Sequence, residues 1–213
     1  AMSRDELADL TTFLYVPADQ PKKLDKALGS NADAILADLE DGVAASSKVT
    51  ARDTLREWLA SLADHGDSRP VVWVRVNAGS VADDLAVGVH PAVAGVCLPK
   101  AETTQQVQAF IAELATAEAR QRVGGEPTAV MLMIETARGV LDVAAVATAS
   151  ERVTVLQLGE QDLNADLGLP PGFEAGVVPS PIRAARDAVV LASAAGRLLA
   201  PIGPVSTFIH DAD

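Results

Sequence analysis

AILADLEDGVAASSKVTARDTLREWLASLADHGDSRPVVWVRVN, residues 34–77, carries the pattern that decides the fold. Its two ends, AILADLE (34–40) and VVWVRV (71–76), are short apolar runs that predict buried parallel strands. Between them SSKVTARDTLREWLASLAD (46–64) has helical spacing and begins on serine, a residue that favours helix starts. A strand, a helix and a second strand of this kind form a βαβ unit. The unit recurs in both directions along the chain. TFLYVP (12–17), GVCLP (95–99), AVMLMIE (129–135) and TVLQLG (154–159) are further expected strands. TTQQVQAFIAELATAEARQR (103–122) and PSPIRAARDAVVLASAAGRLLA (179–200) are further expected helices. Such alternation makes an α/β protein with a parallel sheet, either open and doubly wound or closed into a barrel.

Polar residues choose between the two. The second strand ends in Asp38, Glu40 and Asp41, the third in Arg75 and Asn77, the fourth in Lys100 and the fifth in Glu135, and the sixth runs into Glu160 and Asp162. In a barrel those C-terminal ends converge on one face, where active sites of this architecture sit. An open sheet binds its ligand at a switch point, normally through a glycine-rich turn after the first strand, and here that turn reads PADQPKK (17–23). A (β/α)8 TIM barrel is therefore the expected fold. Strand ends also collect charge simply because they meet solvent, which accounts for any one of these residues but less well for five ends together.

The composition fits one domain spanning residues 1–213. Of the 213 residues 49% are hydrophobic and 22% charged, enough apolar side chain for one substantial core. Seventeen Lys and Arg against 29 Asp and Glu give a net charge of −12, so nucleic acid and anionic membrane are disfavoured as partners. No apolar run approaches the ~20 residues that cross a bilayer, and a cytoplasmic location is expected. Cys97 is the single cysteine, and its apolar setting predicts a buried small hydrophobe rather than a reactive thiol.

Glu135 and Asp162 end adjacent strands, a placement from which two carboxylates can meet at one hard cation such as Mg²⁺, or act as general acid and base. Arg75 alternates inward or toward the mouth of the barrel. Its guanidinium suits a bidentate grip on a substrate carboxylate; pairing with Glu40 or Asp41 is the structural alternative. Lys23, Lys48 and Lys100 suit the phosphates of a coenzyme A-like carrier, or else are solvated surface lysines. His210 is a further candidate for the mouth, against a purely structural role.

FLYVPADQPKKLDKAL (13–28), ILADLEDGV (35–43) followed by Lys48 and Arg52, VRVNAG (74–79), VCLPKAE (96–102), IETARGV (134–140) and GEQDL (159–163) occur in that order. Together they resemble the HpcH/HpaI aldolase and citrate lyase beta-subunit family, over nearly the whole chain. The resemblance implies a barrel of the phosphoenolpyruvate/pyruvate type, Mg²⁺ held by Glu135 and Asp162, and Arg75 gripping the carboxylate of a keto-acid half. It also implies that Glu40 and Asp41 line the same mouth and that the turn of Gly159, Glu160, Gln161 and Asp162 offers backbone N–H groups to the substrate. The implied reaction is retro-Claisen cleavage, or its reverse, of a small 3-hydroxyacyl thioester such as a citryl, malyl or methylmalyl thioester on coenzyme A or an acyl carrier protein. A metal-dependent pyruvate-type aldolase and a non-catalytic subunit that binds an acyl carrier or metabolite are the alternatives. Two stretches depart from the family pattern: Glu160 and Gln161 stand where many relatives have Ala and Glu before the metal carboxylate Asp162, and PIGPVSTF (201–208) places Gly203 where an Asp is frequent. With PVSTFI (204–209) as a seventh strand, the barrel is expected to lack its C-terminal strand in this chain. A continuation that closes it, supplies the general base and completes a neighbour's site in a homo-oligomer such as a trimer is expected from the resemblance.

Overall fold

The computed structural model describes residues 2–64, 69–121, 127–169 and 178–205. Its elements are α1 (Arg4–Ala8), β1 (Phe13–Pro17), α2 (Pro21–Leu28), β2 (Ala34–Asp38), α3 (Lys48–Ser61), β3 (Val71–Arg75), α4 (Val81–Gly88) and β4 (Val93–Leu98). There follow α5 (Thr104–Gln121), β5 (Ala129–Ile134), α6 (Ala137–Leu141), α7 (Val143–Ala147), β6 (Val153–Leu158), α8 (Glu160–Asp166) and α9 (Ser180–Ala195). The six strands pair in chain order, β1 through β6, and every pairing is parallel. Consecutive order with one helical crossover per step is the connectivity of a (β/α) barrel, since an open doubly wound sheet reverses order at its switch point.

The sheet is curled. Tyr15 Oη on β1 donates to Gln157 Oε1 on β6 at 2.5 Å, so the first and sixth strands meet across the concave face. That face is filled by Ala34, Leu36, Trp73, Cys97, Ala129, Met131, Met133 and Val155, with Phe13 and Tyr15 packed on them. Two further clusters lie between the outer face and the helices, one under α2 and α3, the other under α5, α7 and α9. Burial on both faces explains why β2, β4 and β5 read as continuous apolar runs instead of alternating ones. Gly95 makes room on the concave face, because a Cβ there would collide with the six-membered ring of Trp73. Cys97 is fully buried in this interior, and burial pushes its thiol well above the ordinary range, so it packs as an apolar side chain.

Two expectations need correction. The last helix stops at Ala195 instead of continuing to residue 200: Gly196 caps it and Arg197 takes a left-handed φ of 55°. The chain then turns back along β6, where Leu199 N–H donates to Thr154 O and Ile202 N–H to Leu156 O, both at 2.9 Å. Residues 199–202 thus occupy the position beside β6 that was assigned to PVSTFI. Pro204 and Val205 carry no strand, and residues 206–209, with His210, lie outside the described residues. Among the described residues no helix is long and apolar enough to cross a membrane.

Candidate active site at the mouth of the barrel

The C-terminal strand ends surround a cavity of about 380 Å³, lined by Tyr15, Asp38, Asp41, Arg75, Met133, Glu135, Gln157 and the Gly159–Asp162 turn, among others. Arg75 closes one wall. It is 8% exposed, and its Nε and Nη2 donate to the two oxygens of Asp38 at 2.7 and 2.6 Å. Its Nη1 lies 3.2 Å from Glu40 Oε2 and 3.8 Å from Met133 Sδ, and its guanidinium sits 5.4 Å from the centre of the Tyr15 ring. Burial works against this charge, but Asp38 and Glu40 outweigh burial and raise the guanidinium's pKa. The fork expected for substrate is therefore paired with Asp38, and what it presents to the cavity is the remaining edge.

Asp38 does more than neutralise Arg75. Its two oxygens also accept from the N–H of Glu40 and of Gly42, both at 2.8 Å, which fixes the turn after β2. That turn delivers Glu40 and Asp41 to Lys100 on the opposite side. Lys100 Nζ bonds Glu40 Oε1 and lies 3.3 Å from Asp41 Oδ2 and 3.8 Å from Asp162 Oδ2. Partial burial opposes the ammonium charge, but Glu40 and then Glu135 and Asp41 raise its pKa, so Lys100 is held protonated. A Schiff-base nucleophile must be neutral, and these acids work against that state. Partial burial likewise opposes ionisation of Asp41, yet Glu40 and Lys100 keep it below its ordinary value.

Lys100 adopts φ 50°, a conformation that costs a side-chain-bearing residue energy and needs external support. The support is local: its N–H donates to Glu135 Oε1 at 2.8 Å and its carbonyl accepts from Gln106 Nε2 at 3.0 Å. Glu135, 2% exposed, is pushed up to about 8 by burial and by the facing Asp162 carboxylate, against the Lys100 N–H. Gly159 gives it room, since a Cβ there would strike the Glu135 carboxylate and Cβ. Two buried or half-buried carboxylates that repel one another are relieved by a shared proton or a cation. Among the described residues no group of three or more His, Cys, Asp or Glu converges as a complete ligand set. Two carboxylates with the remaining positions left to water and substrate oxygens match the coordination of Mg²⁺.

The turn of residues 159–162 divides by role. Gly159 N–H donates to Ile134 O at 2.9 Å within the strand layer and is not directed at a ligand. Glu160, 6% exposed, turns its carboxylate to Arg186 on α9, with Nη2 at 2.9 Å. Gln161 and Asp162 line the cavity in the first turn of α8, where backbone N–H groups have no intrahelical acceptor. Lys48 is bound to the Leu39 carbonyl at 2.7 Å and to that of Glu40, bracing the acidic turn, while Lys23 is exposed. Tyr15, Gln157, Met133 and the structural role of Asp38 were not singled out by sequence. For Tyr15 and Gln157 the available signal was a polar atom at inward positions of otherwise apolar strands.

A protein-family model described as HpcH/HpaI aldolase/citrate lyase matches residues 11–212. The chain belongs to that family. Among curated proteins the chain is similar to a citrate lyase subunit beta-like protein of Mycobacterium tuberculosis, 37% identical over 191 residues, which are 87% of this chain and 61% of that protein. It is 36% identical over 159 residues to a (3S)-malyl-CoA thioesterase of Cereibacter sphaeroides, covering 73% of this chain and 50% of that protein. The chain therefore spans between half and two thirds of these relatives. Among solved structures, the M. tuberculosis protein CitE in complex with magnesium, acetoacetate and coenzyme A superposes with a TM-score of 0.73 at 30% identity, over 96% of this chain and 69% of that one. The shared fold places the chain in the barrel class that its strand order indicates.

Proposed function

We propose that this mouth is a Mg²⁺-dependent carbon–carbon lyase site acting on a small 3-hydroxyacyl thioester, with Glu135 and Asp162 as the metal ligands. The facing pair Glu135 and Asp162, at the ends of adjacent strands in the same cavity as Arg75, is the observation that carries this reading. The bound cation would polarise the substrate's 3-oxygen as it becomes a carbonyl. The chain's own groups orient the substrate. The Nη1 edge of Arg75, shared with Glu40, faces the keto-acid carboxylate, Glu40 and Asp41 hold Lys100 at the rim, and the first-turn N–H groups of Gln161 and Asp162 face the cavity. In the reaction the 3-hydroxyl loses its proton, the C2–C3 bond breaks, and C2 leaves as a thioester enolate that is then protonated. The products are a keto acid and a shorter acyl thioester. The M. tuberculosis structure, which holds magnesium, a keto acid and coenzyme A together, supports both the cation and a coenzyme A thioester; an acyl carrier protein thioester is the other form.

A hydrolytic reading is favoured by the similarity to a malyl-CoA thioesterase. The two differ in products: cleavage releases a keto acid and keeps the thioester, whereas hydrolysis releases a free thiol and a hydroxy acid. Citryl, malyl and methylmalyl thioesters, with free hydroxy-oxo acids beside them, should be assayed with and without Mg²⁺. Keto-acid release that requires Mg²⁺ is expected. Thiol release without keto acid would replace lyase by thioesterase, and turnover of the free acids alone would indicate a pyruvate-type aldolase.

A further inference from the structure

The inner end of the cavity is polar where the barrel interior around it is not. Gln157 is 2% exposed and directly paired with Met133 in the strand register, next to the apolar cluster that holds Met131, Met133 and Val155. Its Oε1 accepts from Tyr15 Oη at 2.5 Å, and burial pushes that phenol's pKa far up, so the hydroxyl keeps its proton and donates. Its Nε2 reaches the Gly203 carbonyl at 3.5 Å, the outer limit of a hydrogen bond. The opposite amide orientation would set Oε1 against the Gly203 oxygen, so the Tyr15 hydroxyl and the Gly203 carbonyl jointly fix it. An amide nitrogen carries two N–H donors. Among the described residues one of them has a single weak acceptor, the other none, and the side chain lines the cavity. Leaving a buried donor unmatched costs about 1–3 kcal/mol, a cost that a ligand oxygen facing this amide would remove.

We infer that Gln157, anchored by Tyr15, is a specificity-determining residue whose free amide N–H donates to an oxygen on the substituent of the keto-acid half that reaches the inner end of the cavity. The site thereby selects an oxygen-bearing substituent over an alkyl group of the same size. The inference rests on the reading of the mouth as a keto-acid site. A purely structural strut between β1 and β6 would hold Tyr15 and Gln157 together equally well, but it would have no influence on ligand preference.

Two monoanionic probes of nearly equal size separate these roles: 3-hydroxypyruvate, with a terminal hydroxyl, and 2-oxobutanoate, with a methyl in its place. Calorimetric titration in Mg²⁺-containing buffer is expected to show the chain binding 3-hydroxypyruvate about tenfold more tightly, the net effect of one buried hydrogen bond. Gln157→Leu should bring the ratio close to one. Tyr15→Phe, which keeps the ring and frees the amide to rotate, should reduce the ratio in part, and it carries the test if Gln157→Leu fails to show a native thermal melt. An unchanged preference in a folded variant, or equal binding of the two acids by the wild type, would overturn the role of Gln157 while leaving the keto-acid site standing. If the wild type binds neither acid in Mg²⁺, both the inference and the keto-acid reading fall.

Discussion

Asp38 ties Arg75 to the acidic turn at the mouth. It is 3% exposed, holds Arg75 through two hydrogen bonds and fixes the turn that carries Glu40 and Asp41. Removing one partner of a buried pair leaves an uncompensated charge, at a cost of about 3 kcal/mol or more. Asp38→Asn should therefore lower unfolding free energy by about that amount in urea titration; a loss within experimental error would show that Glu40 alone suffices to hold Arg75. Sequence spacing suggested Glu40 or Asp41 as the internal partners of Arg75. The structure retains Glu40 at 3.2 Å, adds Asp38 as the main partner, and gives Asp41 to Lys100. Alternation already indicated this: residues 34, 36 and 38 point to the concave face with Arg75, whereas Asp41 lies in the turn beyond the strand.

At the level of elements, register and curl depend on a few local devices. Asp33, just before β2, accepts from the N–H and hydroxyl groups of both Thr11 and Thr12 at 2.7–2.9 Å, fastening the start of β1 to that of β2. These bonds hold its carboxyl far below the ordinary carboxylate range. A depressed folded-state pKa contributes stability that is present above the unfolded value of about 3.9 and is lost as pH falls below it. The Tm gap between wild type and Asp33→Asn should accordingly be widest near pH 7 and narrow as pH drops below about 4. A gap independent of pH would assign the stabilisation to hydrogen bonding without charge. Gly95→Ala tests the curl: the added methyl meets the Trp73 ring, and overpacking of this kind costs about 1–3 kcal/mol. Wild-type stability in that variant would mean that the interior has slack there.

All six strands were legible because their apolar runs are short, bounded and separated by helical stretches. The short helices α1, α6 and α7 were not singled out, since five residues are too few for a helical period to stand out. For α1 a readable signal existed in the Ser3 and Glu6 capping box.

For the molecule as a whole, the strand order explains why residues far apart in sequence form one site: each crossover returns the chain to the same face, so Glu40, Arg75, Lys100, Glu135 and Asp162 gather there. The convergence was legible in the sequence from the positions of charges at strand ends. The pairings were not, because they depend on side-chain direction, on the left-handed backbone of Lys100 and on the space left by Gly159. A chain of net charge −12 whose mouth places Glu135 against Asp162 is poorly suited to hold an anionic acid without a cation. The most direct measurement is calorimetric titration of Mg²⁺ into the wild type and into Glu135→Gln, each shown to be folded by its thermal melt. Saturable binding by the wild type, weakened at least about tenfold by Glu135→Gln, is the expected result, since even partners of metal ligands contribute that much. Equal Mg²⁺ affinity in the two proteins would contradict the assignment of Glu135 and Asp162 as the metal site.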